Sequence, residues 1–195
     1  MRNLKTFLII CLCISIVHAF SMTYYRQIIE PLYFTSKGIT EIEIELPSIE
    51  IDETDLFLDA IAHSESSNRY TIVNRFGYMG KYQFGRLTLK GLGYKVTRKE
   101  FLNSPEIQEQ AMLDLLLHNK KILQNYIDKW DGKRVQGKKV TESGILAAAH
   151  LVGPSKVKRF FDSGKDSQDG NGTKLTKYLT QFSGYDLNLE QYGND

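Results

Sequence analysis

Ser104-Pro105 offers a helix N-cap followed by proline at the first helical position, where its missing N–H is no loss. From there Ile107, Ala111, Leu115, Ile122, Tyr126 and their neighbours predict one buried helical face running to about Lys129, and Asp131-Gly132 supplies the stop. A helix of this length predicts a central scaffold on which shorter segments pack. The expected fold class is therefore mainly α.

The flanking segments agree with that class. Residues 53–66, ETDLFLDAIAHSES, read as a helix with Thr54 as N-cap, acids in the first turn, and Phe57, Leu58, Ile61 and Ala62 as its apolar stripe. Thr97 and Glu100 have capping-box spacing. KRVQGKKV, residues 133–140, predicts a small β-hairpin around Gly137. Thr141 then caps the alanine-rich ESGILAAAHLV, which can pack closely. Pro154 opens a short helix through Phe161, and Thr173 is expected to cap a last one to about Phe182. The intervening loop, residues 162–173, holds Asp162, Asp166, Asp169 and Asn171, residue types suited to calcium. Its spacing is not that of an EF-hand and no Glu closes it, so it reads as a glycine-rich turn. Neither metal nor cofactor is expected.

The N-terminus carries a different pattern. Arg2 and Lys5 precede an apolar run from Phe7 to Val17, with Val17-His18-Ala19 at the usual cleavage positions, so residues 1–19 read as a secretory signal peptide. An uncleaved membrane anchor extended by Phe20 and Met22 is the alternative. Cys11 and Cys13, the only cysteines of the chain, both lie in this run, and neither follows the small residue of a lipoprotein site. Cleavage would leave no thiol for disulfides, metal or nucleophilic catalysis. Residues 20–52 read as an extended tether interrupted by Pro31, Gly38 and Pro47, in which EIEIELPSIEID alternates with the period of a half-exposed strand. The remainder, 53–195, is the expected globular domain. A net charge of +2 and the absence of an Arg/Lys block argue against nucleic acid as a partner.

One carboxylate stands apart. From Ser66 to Lys99 there is no Asp or Glu, whereas Arg69, Arg75, Lys81, Arg86, Lys90, Lys95, Arg98 and Lys99 are cationic. Glu65, just before this stretch, lies four residues beyond Ile61 and seven beyond Leu58, so it prolongs the buried stripe. Burial disfavours a carboxylate's charge while nearby cations favour it, a setting in which a carboxyl can hold a proton and donate it to a leaving oxygen. A solvated Glu or an ion pair with Arg69 is the structural alternative.

ESSNRY at 65–70, followed by GYMGKYQFG at 77–85, resembles the catalytic signature of the lysozyme-like lytic transglycosylases, and is similar to the corresponding stretch of resuscitation-promoting factors. ILAAAHLVGPSKV at 145–157 resembles, more weakly, the family helix that ends in Ala-Tyr-Asn-Ala-Gly. The resemblance spans roughly residues 54 to 185. It implies a lysozyme-like helical domain with Glu65 as catalytic acid and Ser66 beside it positioning substrate. Tyr78, Met79 and Gly80 would line the sugar cleft, with Gln83 contributing its amide. Aligned on Gly153, His150 stands where the family has Tyr, and Leu151 where it has Asn. The imidazole is a candidate for binding sugar or acetamide groups, and a core or surface histidine is its plain alternative.

By that resemblance the substrate is peptidoglycan, cut at the MurNAc-β-1,4-GlcNAc bond to leave 1,6-anhydromuramyl ends, in the periplasm or as a secreted protein. A single Glu serves as acid and then base, whereas most glycosidases need two carboxylates. A hydrolytic muramidase of the same fold, or a non-enzymatic peptidoglycan-binding protein, is the alternative. Tyr70, Phe76, Tyr78, Tyr82 and Phe84 offer flat faces for sugar rings, and at least two of them are expected in the core. His63-Ser-Glu65 matches a zinc-deaminase fragment only superficially, since the cysteine pair is missing, and no G-x-S-x-G elbow occurs.

Overall fold

The computed structural model describes residues 52–192. The expected signal segment and nearly all of the expected tether lie outside the described residues. Seven α-helices and one two-stranded antiparallel sheet make up the described chain, so the mainly α class with a small hairpin holds.

Helix α1, Glu53–Ser66, buries Phe57, Leu58, Ile61 and Ala62, as its period requires. Its cap is Asp52, which accepts from the Thr54 N–H at 2.8 Å, and not Thr54 as expected. Thr54 is itself buried, and its hydroxyl oxygen accepts from the Asn188 N–H at 3.0 Å, tying the C-terminal segment to α1. At the other end Ser67 (φ 55°) and Asn68 (φ 61°) are left-handed and return their N–H groups to His63 and Ala62, which stops the helix directly after Glu65 and Ser66.

A loop follows, pinned by antiparallel bridges Val73 to Met79 and Met79 to Phe84. The short helices α2 (Arg86–Gly91) and α3 (Arg98–Leu102) come next, the latter with the predicted capping box. Helix α4, Pro105–Trp130, has 26 residues and spans about 39 Å. Ser104 occupies its N-cap position, but its side chain makes no capping bond. The buried seam of α4 runs through Ala111, Met112, Leu115, Leu116, Leu123 and Ile127, whereas Ile107, Ile122 and Tyr126 are only partly covered. The hairpin pairs β1 (Arg134–Val135) with β2 (Lys138–Lys139). Gln136 and Gly137, both at positive φ, form the turn, as a two-residue hairpin demands.

The centre of the domain is helix α5, Glu142–Val152, rather than the long helix. Every residue from Ser143 to Ala149 is buried, and α5 packs against α4, α6 (Pro154–Ser163) and α7 (Leu175–Gln181). Small side chains make this approach possible: a Cβ on Gly144 would sit 2.3 Å from the Leu179 carbonyl oxygen. Thr141 caps α5 as predicted, accepting from the Gly144 N–H. Helix α7 begins at Leu175 with Lys174 at the cap position, so Thr173 is not its cap. Instead Asp166 accepts from the Thr176 N–H and hydroxyl, which uses one of the loop carboxylates to anchor that helix. A short 3-10 turn, Leu189–Tyr192, closes the described chain. Among the described residues no helix is long and apolar enough to cross a membrane.

Candidate functional site

The left-handed stop of α1 leaves Glu65 in the last turn, its side chain 16% exposed and lining a pocket. The walls are Asn74, Phe76, Tyr78 and Gln83 from the loop after α1, His150 and Leu151 from the end of α5, and Asp169–Asn171 from the loop before α7. Three segments far apart in sequence therefore meet at one carboxyl.

One side chain hydrogen-bonds that carboxyl and a second lies close to it. The Tyr178 hydroxyl, from α7, donates to Glu65 Oε1 at 2.6 Å, and His150 Nε2 lies 3.8 Å from the same oxygen. Oε2 receives no hydrogen bond from any described residue, which leaves it for a ligand. Burial pushes the Tyr178 phenol well above its usual range, and the Glu65 charge and hydrogen bond push it the same way, so the group remains a donor. His150, with only 7% of its side chain exposed, is shifted the other way. Desolvation lowers its pKa, and the opposing pull of Glu65 and of the Tyr82 backbone does not cancel the effect. The imidazole is thus neutral at pH 7, and its Nδ1 is buried without a hydrogen-bond partner among the described residues. Arg69 makes no ion pair with Glu65; its Nε donates to the Ser66 carbonyl at 2.8 Å.

The other expected residues divide into wall and frame. Tyr78 is 44% exposed and Phe76 48% exposed, and both line the pocket; Gln83 lines it too while its Nε2 donates to the Gly80 carbonyl. Ser66 is buried, its hydroxyl donating to the Lys81 carbonyl at 2.7 Å and accepting from the Arg69 N–H. Whatever positioning it exerts passes through the loop, because it is not a wall of the pocket. Met79 is a core residue whose backbone carries both bridges. Gly80 has φ +76°, and a Cβ there would lie 2.1 Å from Gln108 Oε1, so glycine is required on two counts. Of the aromatic set, Tyr82 and Phe84 are core, as expected for at least two.

Several residues that shape the site were not singled out from sequence. Gln108, fully buried, accepts from the Lys81 N–H and donates to the Tyr70 and Phe101 carbonyls, which locks the loop to α4 and α3. Glu109 accepts from Tyr70, Tyr82 and Lys81 at 2.6, 2.5 and 2.9 Å. Burial pushes its carboxyl up, but those bonds and the Lys81 charge outweigh burial and hold it below the usual carboxylate range. Asn74 Oδ1 receives the N–H groups of Phe76 and Tyr78 and so shapes the wall. Tyr178 shares the inward face of α7 with Leu175 and Leu179, and its one signal in sequence was a hydroxyl placed among apolar neighbours.

Asp169 is the second carboxylate of the pocket. Its Oδ1 is occupied by the Asn171 and Thr173 N–H groups at 3.0 and 2.6 Å, and its charge is felt at Tyr178.

Comparison with known proteins returned no match: no family model fits the sequence, and no curated protein or solved structure matches it.

Proposed function

We propose that the protein is a lysozyme-like peptidoglycan lytic transglycosylase acting in the periplasm or outside the cell. The reading is carried by one observation: a half-buried Glu65 with one oxygen anchored by Tyr178 and the other left for a ligand, under a rim of exposed aromatic rings. In its protonated form Glu65 gives its proton to the glycosidic oxygen as the C1–O bond breaks, while the substrate's own N-acetyl oxygen stabilises the positive charge at C1. The resulting carboxylate then takes the proton of the sugar's 6-hydroxyl as O6 bonds to C1, closing the 1,6-anhydro ring. Phe76 and Tyr78 suit sugar faces, and Arg75, stacked on Phe76 at 4.7 Å, brings positive charge to a polymer that bears carboxylates.

A hydrolytic muramidase is the second reading, favoured by Asp169 in the same pocket. Water would then replace the 6-hydroxyl. Mass analysis of the sugar ends released from peptidoglycan decides between them. Anhydromuramyl ends that disappear with Glu65→Gln support the transglycosylase, and reducing ends support the hydrolase. Binding without cleavage by either protein would leave a wall-binding protein.

A further inference from the structure

A second groove, of about 640 Å³, adjoins the Glu65 pocket and shares Tyr78, His150, Leu151, Asp169 and Gly170 with it as walls. Its far side is built by His118 and Asn119 of α4 and by Pro154 and Lys156 at the start of α6. Asn119 is the unusual member. It is 1% exposed on the buried seam of α4, between Leu116 and Leu123, yet neither Oδ1 nor Nδ2 has a hydrogen-bond partner among the described residues. His150, also a wall of this groove, has a second such buried atom in Nδ1.

A buried amide left without partners costs stability that an apolar residue of the same shape would not. Gln108, the other buried amide of α4, is fully hydrogen-bonded, so an unpartnered Asn119 points to a partner outside the chain. A side-chain carboxamide presents one acceptor beside one donor, so it can accept from the N–H or donate to the C=O of a trans secondary amide, or pair with the N–H and C=O that flank one Cα of a peptide. We propose that this groove binds a secondary amide of the ligand through Asn119, extending recognition away from Glu65. The inference rests on the glycan reading for the source of the amide, which is either a sugar acetamido group or a peptide branch.

The test follows the Asn119 side-chain NH₂ signals by NMR in the purified chain carrying Glu65→Gln, with the signals identified by their loss in Asn119→Leu. Three probes are used: N-acetylglucosamine tetrasaccharide, its fully de-N-acetylated counterpart, and a blocked alanine dipeptide. A shift with the acetylated sugar or with the dipeptide, and none with the de-N-acetylated sugar, is expected, and whichever probe acts names the source. Asn119→Leu should weaken that probe at least tenfold while Tm holds or rises. Signals that neither amide probe moves would mean that water alone satisfies Asn119, and would overturn the inference, as would equal shifts from the de-N-acetylated sugar. Should Asn119→Leu fold poorly, the shifts of the native side chain decide. Cleavage of peptidoglycan with unmoved Asn119 signals sinks this inference alone; amide binding without cleavage sinks the enzymatic reading alone.

Discussion

The Tyr178 hydroxyl donates to Glu65 Oε1 at 2.6 Å across 113 positions of sequence, and His150 Nε2 approaches the same oxygen at 3.8 Å. One carboxylate oxygen is thereby anchored by α7, with the His150 imidazole of α5 beside it. If Glu65 is the general acid, Tyr178→Phe removes the donor while keeping the ring. A hydrogen bond to a charged group contributes about 1.5–3 kcal/mol, so kcat on peptidoglycan should fall roughly 10- to 100-fold with KM nearly unchanged. An equal loss in KM would show instead that Tyr178 acts on binding.

Asp169→Asn separates the two catalytic readings. In the transglycosylase Asp169 shapes a loop through Asn171 and Thr173, and an Asn oxygen accepts the same bonds. Cleavage should therefore persist within a few-fold. In the hydrolase the loss of charge removes the second carboxylate, and the rate should fall by about two orders of magnitude or more. Initial rates of peptidoglycan solubilisation make the comparison.

His150 predicts the direction of acid sensitivity. Its folded pKa lies below the ordinary value, so between that folded value and about 6.5 the unfolded chain binds more protons than the folded one. Stability therefore rises with pH in that window and is lost as pH falls below about 6.5, by up to about 1.4 kcal/mol per unit. Calorimetry from pH 7.5 to 5 should show Tm declining, and His150→Gln should flatten that part of the curve. An unchanged slope in the variant would remove His150 as its cause.

Gly80→Ala should be severe. The positive φ costs about 1–2 kcal/mol for a residue with Cβ, and the added methyl meets a Gln108 carboxamide that is itself held by three hydrogen bonds. A loss of about 3 kcal/mol or more is expected from strain and displacement together. Denaturant titration against the parent measures it, and a loss under about 1 kcal/mol would mean that Gln108 yields easily.

Glu109→Ala should loosen the loop from outside the pocket. It strands the buried Tyr82 hydroxyl and leaves Lys81 and Tyr70 only their long 3.5 Å bond to each other, at a cost of about 1–3 kcal/mol. Limited proteolysis should then cut between Tyr70 and Gly85 faster than in the parent. Resistance equal to the parent's would show that Gln108 alone fixes the loop.

Much of this architecture was legible in the sequence. The capping box at Thr97 and Glu100, the Pro105 start, the hairpin around Gly137 and the stripe of α1 are local signals that formed as their chemistry requires, whereas Ser104 makes no capping bond. The errors were also local. Asp52 displaced Thr54 as cap because Thr54 was taken up by Asn188, and Asp166 anchored α7 in place of Thr173. At α1 a partner 134 positions away took the Thr54 hydroxyl, and at α7 a carboxylate ten positions before Thr176 supplied the anchor.

The sequence alone determined the helical class, the hairpin, and a lone Glu65 at the end of a buried stripe, because periodicity and caps are properties of neighbouring residues. Tertiary structure decided what surrounds that carboxyl. It turned Ser66 inward, moved the centre of the fold from α4 to the small-residue helix α5, brought His150 and Asp169 to the Glu65 pocket, and set the Tyr178 hydroxyl on Glu65 itself. No local period records such meetings, since contacts across α1, α5 and α7 arise only when the apolar faces of separate helices pack together.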